Sequence, residues 1–95
     1  MLLETNYKKG DTVSIKLTSG EEMVANLVEE NDTEIVLKKP MVIVAAQQGL
    51  ALSPFMFSAN PDAKVKLKQA NVLCILKTVD ELGKQYTQQT TGIVT

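Results

Sequence analysis

The sequence predicts a small all-β domain, a strongly bent antiparallel sheet or barrel of short strands followed by a short C-terminal helix. Three observations predict it. Val13, Ile15 and Leu17 fall on one side of an extended chain, Met23, Ala25 and Leu27 repeat the pattern, and Ile35 and Leu37 close the series. The segments that carry these residues are joined by tight turns, Ser19-Gly20 and Asn31-Asp32, which bring successive strands back as antiparallel neighbours. Near the end the period changes: Val79, Leu82 and Tyr86 are spaced i, i+3, i+7, one face of a helix. A chain of 95 residues holds one domain. Within 1–95 the expected parts are an N-terminal arm (1–11), the bent sheet (12–77) and a helix with its tail (78–95).

The elements follow in order. "LLETNY" forms a short helix or an extended arm, and "KKGD" turns the chain, with Gly10 free to adopt positive φ. Strand one is expected over Thr12 to Thr18, strand two over Glu21 to Glu30, and strand three from Glu34 to Ala46. Pro40 marks a kink or an unpaired edge position in the third. Gln47-Gln48-Gly49 turns the chain into a fourth strand, Leu50 to Phe57, bent at Pro54. Asn60-Pro61-Asp62 is turn chemistry. Lys64 to Lys68 alternates cleanly, lysines on one side and Val65 and Leu67 on the other; Gln69-Ala70 interrupts it, and Asn71 to Lys77 is the last strand. Thr78 with Glu81 three residues on matches a capping box. Gly83 weakens the helix by up to ~1 kcal/mol, and Gly92 is placed to end it.

Composition narrows function. Net charge is -1, and every one of the ten basic residues is lysine, so there is no global basic bias of the kind that grips duplex nucleic acid. Without arginine, bidentate recognition of phosphate or guanine is lost; without histidine, so is histidine acid–base chemistry. Tyr7, Phe55, Phe57 and Tyr86 are the only aromatics, few for stacking bases. No nucleophile stands with a base, no glycine-rich phosphate loop exists, and no metal-ligand cluster is spaced for binding. The expectation is a protein that is not an enzyme and takes no cofactor.

The last strands predict assembly. "MVIVAA" and "NVLCIL" are apolar on both faces, whereas a half-buried strand alternates. One short helix cannot cover the outer face of both. Either the sheet curls up and uses its own interior, or a neighbouring subunit covers the outside; the expectation is a homo-oligomer. Cys74, alone and flanked by "VL" and "IL", reads as a buried, inert thiol in a reducing compartment. The "MLLE" start is too short, and acidic too soon, for a signal peptide. Met41 to Phe57 holds twelve apolar residues in seventeen, but Gln47-Gln48-Gly49 divides it and Pro54 follows, so two strands fit better than a membrane span. No membrane partner is expected.

"VSIKLTSGEEMVANLVEENDTEIVLKKP" resembles the first motif of the Sm-like (LSm) family, with Leu17, Gly20, Leu27, Val36 and Leu37 at its positions. "LKQANVLCIL" resembles the second, through Leu67, Asn71, Val72 and Ile75. The helix after the sheet and the "QQTTG" tail resemble a phage-type member more than the eukaryotic ones. The resemblance covers most of 12–77. It implies a bent five-stranded sheet closing on itself as a barrel, subunits joined edge to edge into a ring, single-stranded RNA bound around the hole, and a cytoplasmic setting (host cytoplasm or virion for a phage protein). It also puts the base-contacting amide of the family on Glu34, the stacking residue near Asp32, the arginine on Lys68 and the glycine on Gln69. Only Asn71 survives, so the usual base pocket is not expected.

Two groups of candidate residues result. Lys64, Lys66 and Lys68, with Lys38 and Lys39 as a candidate extension of the patch and Asn71 beside them, are the candidate RNA contacts; the bland alternative is a solvated strand face whose lysines deter edge pairing. Phe55, Phe57, Val72, Cys74 and Leu76 are the candidate subunit interface, against an ordinary core role. Glu21, Glu22, Glu29, Glu30, Asp32 and Glu34 lack the spacing of a calcium loop and read as a solvated face. The expected function is a ring subunit that binds single-stranded RNA by another route, or a scaffolding ring that binds protein.

Overall fold

The computed structural model describes residues 7–91, so the expected arm over 1–6 and the helix stop at Gly92 lie outside the described residues. The strands are β1 (Thr12–Leu17), β2 (Glu22–Glu30), β3 (Glu34–Ala46), β4 (Gly49–Pro54), β5 (Lys64–Lys68) and β6 (Val72–Lys77). A 3₁₀ turn, Gln69–Asn71, separates β5 from β6, and α1 (Asp80–Thr91) follows. The fold is all-β with one short C-terminal helix. All pairings are antiparallel, in the order β4-β3-β2-β1-β6, with β5 also on β3.

The long strand β3 organises the sheet. One edge of it meets β2; the other is divided, Glu34–Lys38 facing β5 and Met41–Ala46 facing β4. The division falls at the expected kink. Lys38 pairs with Asn26 and Met41 with Val24, so Lys39 and Pro40 together oppose Ala25, a β-bulge. Lys39 takes φ 50, the left-handed region, and Pro40 has no N–H for the ladder. The Pro40 carbonyl instead accepts the Phe55 N–H at 3.1 Å.

A closed five-stranded barrel does not form. The sheet has six strands, and among the described residues it is open, with β5 unpaired to β6. The turn between them supplies the physical reason. The Gln69 N–H donates to Thr33 O (2.9 Å), beside the start of β3, and the Asn71 carbonyl accepts the Thr18 N–H (2.9 Å), beside the end of β1. Three residues thus carry the chain across the end of the bent sheet, from the β3 edge to the β1 edge, instead of folding β6 back along β5.

Alternation builds the core as expected. Val13, Ile15, Leu17, Met23, Ala25, Leu27, Ile35 and Leu37 form one buried cluster on the inner face. Tyr7, Phe55, Leu67, Val72 and Ile75 pack against it, partly buried. A second cluster lies on the outer face: Val24, Leu52 and Tyr86, with Met41, Ile43 and Leu82 around them. Here α1 covers the β2–β3–β4 part of the sheet. The Tyr86 hydroxyl donates to Lys39 O at 2.8 Å and Lys38 O at 3.2 Å, satisfying carbonyls at the bulge. Burial pushes its pKa up to about 12.

The helix start differs from the expected capping box. α1 begins at Asp80, and Thr78 serves the sheet instead: its N–H donates to Thr12 O (3.1 Å), and its hydroxyl shares a 2.8 Å hydrogen bond with Ser14 Oγ. Val79 is consequently 69% exposed, off the face that buries Leu82 and Tyr86. Asp80 and Glu81 occupy the first turn, favourable to the helix dipole. Among the described residues no helix is long and apolar enough to cross a membrane.

Candidate functional site

The β5 lysines share one exposed face. Strand alternation points Val65 and Leu67 inward, half-buried, and leaves Lys64, Lys66 and Lys68 outside. Register places Lys64 opposite Lys38, Lys66 opposite Val36 and Lys68 opposite Glu34. Cross-strand partners point the same way, so Lys38 extends the basic stripe and Glu34 sits at its far end. Lys39 does not join it: its ammonium donates to Thr90 O at 3.2 Å, at the end of α1. Asn71 is exposed on the 3₁₀ turn, its carbonyl engaged by Thr18.

The β2–β3 loop and the start of the 3₁₀ turn do meet, and they fill each other. Asn31 Oδ1 accepts hydrogen bonds from the N–H groups of Thr33 and Glu34, both at 2.9 Å, which shapes the loop. Gln69 Nε2 donates to Asn31 O at 2.9 Å and to Glu30 Oε2 at 3.2 Å. The other oxygen of Glu30 accepts from Tyr7 Oη at 2.9 Å. Burial chiefly, then the hydrogen bond and charge of Glu30, push the Tyr7 pKa up to about 12. Glu30 therefore ties Tyr7 to the β5–β6 turn, a role that alternation alone does not disclose. The place is acidic, with Glu30, Asp32 and Glu34 close in sequence, and the amide of Gln69 is already committed.

β6 carries three of the candidate interface residues, Val72, Cys74 and Leu76; Phe55 and Phe57 follow β4. β6 follows β1 from Val13↔Lys77 to Lys16↔Cys74, then slips, so that Leu17 pairs with Val72 and Leu73 is the extra residue of a bulge. Val72 and Ile75 turn toward the inner core. Leu73 and Leu76 stay 64% and 58% exposed. Cys74 is exposed as well, not the buried thiol expected, because Lys16, its partner on β1, faces outward. Phe57 is 83% exposed, whereas Phe55 packs half-buried on the inner core. Of the five expected interface residues, Phe57, Cys74 and Leu76 are free to meet a neighbour; Phe55 and Val72 are largely committed inside.

Among the described residues, no three or more His, Cys, Asp or Glu side chains come together as a metal would require. No family model matches the chain, and no curated protein does.

Proposed function

We propose that the chain is an Sm-like subunit of a homo-oligomeric ring, in which β6 of one copy pairs along β5 of the next. The observation that carries this is the uncovered β6 edge: Leu73 and Leu76 are more than half exposed, on a strand that among the described residues is bonded on one side only. Exposed apolar edges invite strand addition. The free edge of β5 is chemically different, lined by Lys64, Lys66 and Lys68. Two β5 edges set against each other would bring like charges together. Pairing two different edges is a heterologous contact, and such contacts generate rings when the rotation closes. Covering each large apolar side chain contributes ~1.5–3 kcal/mol before association costs. Light scattering on the full chain at micromolar concentration tests the assembly: a multiple of 10.4 kDa is expected, and a 10.4 kDa species overturns it.

The basic stripe favours a second statement about the same ring. Repeated around an assembly, Lys38, Lys64, Lys66 and Lys68 offer phosphate contacts for single-stranded RNA. The filled, acidic loop end supports a route that avoids the family's base pocket. Labelled oligo-U and oligo-A at two salt concentrations test this. Binding that weakens with salt and disappears on changing Lys64, Lys66 and Lys68 together to Glu is expected. Absence of binding at low salt leaves the ring as a scaffold for other proteins.

A further inference from the structure

Asn26 stands where an apolar residue is expected. It lies in mid-strand on the outer face of β2, between Val24 and Val28, and asparagine is depleted in strands. It is half-buried, and among the described residues its side-chain amide has no hydrogen-bond partner. A polar group so placed marks a position for one. Register extends the observation across the sheet: Thr12 pairs with Asn26, Asn26 with Lys38, and Lys38 with Lys64. Cross-strand partners share a face, so β1, β2, β3 and β5 together carry one polar row. At the usual strand spacing of ~4.8 Å the row is about 14 Å long.

α1 flanks this row. Gly83, Thr87 and Thr90 are spaced i, i+4, i+7, one side of the helix. Two clefts open between that side and the sheet. One, of about 410 Å³, is lined by Thr12, Lys77, Gly83, Lys84 and Thr87. The other, of about 380 Å³, is lined by Asn26, Lys38, Asp62, Thr87 and Thr90. Thr87 lines both, so the clefts follow one another along the helix. A Cβ on Gly83 would meet nothing within 4 Å, so packing does not require glycine there. Its effect is to leave the cleft wall bare, at a cost in helix propensity. Lys77 and Lys84 in the first cleft and Lys38 and Lys39 in the second stand against Asp80 and Asp62, a positive balance, although the Lys39 ammonium is held by Thr90 O.

We propose that the row and its two clefts form a track for a short segment of single-stranded RNA, in which the Asn26 amide hydrogen-bonds the edge of an adenine. The inference rests on the RNA reading above and adds a path to it. The strand leaves the β5 lysines at Lys64, passes Lys38 and Asn26, and crosses to Thr12 and Lys84 beside α1. Cations at both ends of an extended row suit a linear polyanion. The amide between them sets the chemistry further. It offers a donor and an acceptor together, which the N6 and N7 groups of adenine match in one bidentate contact, and unpaired RNA exposes that edge. The carboxylates of an acidic peptide only accept and leave the amide oxygen unmatched.

Labelled oligo-A and oligo-U, titrated with the full chain at two salt concentrations, test the track. The parent is expected to bind oligo-A more tightly by ~5-fold or more. Asn26→Ser is expected to abolish that preference and leave the salt dependence unchanged. Lys84→Ala, at an exposed position where folding is not at stake, is expected to weaken both oligonucleotides alike and to lower the salt slope by about one. Binding that is lost on changing Lys64, Lys66 and Lys68 together to Glu, yet unaltered by Asn26→Ser and by Lys84→Ala, overturns the track and leaves the RNA reading standing. No binding by the parent at low salt removes both. Displacement of oligo-A by poly-Glu at equal charge concentration overturns the track as well, since its cations would then take any polyanion.

Discussion

β1 and β6 run side by side in one sheet, hydrogen-bonded to each other, yet they treat apolar side chains oppositely. β1 buries Val13, Ile15 and Leu17 and turns Thr12, Ser14 and Lys16 outward. β6 sends Val72 and Ile75 inward but leaves Leu73 and Leu76 in solvent. The difference lies in sequence pattern together with the bulge at Leu73, which turns two successive residues, Leu73 and Cys74, outward. β1 alternates, so one core satisfies it; β6 is apolar on both sides, and the chain covers only one. The outer face repeats the contrast: over β2, β3 and β4, α1 and Tyr86 supply a lid, and over β6 they do not.

The sharpest way to break this comparison is to truncate one residue on each strand. Ile15→Ala is expected to cost about 2–5 kcal/mol, since a fully buried side chain leaves a cavity. Leu76→Ala, at 58% exposure, is expected to stay within about 0.5 kcal/mol of the parent in dilute solution, while lowering the assembled fraction at micromolar concentration. Urea unfolding with parallel light scattering reads both. Equal losses from the two substitutions would mean that β6 is sealed within the single chain.

A smaller effect is expected where the outer face does have its lid. Tyr86→Phe removes the donor that satisfies the Lys38 and Lys39 carbonyls, at a cost of about 1–3 kcal/mol. The same residue governs behaviour at high pH. Tyr7 and Tyr86 both have folded pKa values of about 12, against about 10 in an unfolded chain. Above pH ~10 the unfolded state releases protons that the folded state keeps. The contribution is fully present below that pH, and stability falls as pH rises toward 12. Tyr86→Phe and Tyr7→Phe are each expected to flatten part of that decline in urea midpoints measured from pH 9 to 12.

How much of this was legible depends on whether the information was local. The meander from Val13 to Leu37 could be read because period-two alternation is a property of neighbours, and Pro40 announced its bulge through a missing N–H. The divided edge of β3 was not legible, because nothing in "EIVLKKPMVIVAA" states which later strand will claim which half. The barrel closure implied by resemblance is absent for the same reason: the direction of a three-residue turn is set by distant backbone partners, the Thr33 carbonyl and the Thr18 N–H. Cys74 was misplaced because apolar neighbours in sequence say nothing of a bulge, and Thr78 because a capping pattern competes with a hydroxyl partner 64 positions away. At the candidate site the lysine stripe was visible as alternation. The Glu30 junction with Tyr7 and Gln69 was not, since its three members come from separate segments.

The smallest effect belongs to the place where β1 and β6 agree. Ser14 Oγ and Thr78 Oγ1 share a hydrogen bond between the start of β1 and the residue after β6, and Thr78 is only 7% exposed. Ser14→Ala leaves that hydroxyl without its partner, and Thr78→Val removes it while keeping the shape. Each is expected to cost about 0.5–1.5 kcal/mol. The double variant is expected to cost less than the sum, because the two changes remove one bond. Thermal unfolding of the four proteins gives the coupling. A coupling indistinguishable from zero would show that the junction is not held by this pair, and would leave the end of β6 to its backbone bonds, the Thr78 N–H to Thr12 O among them.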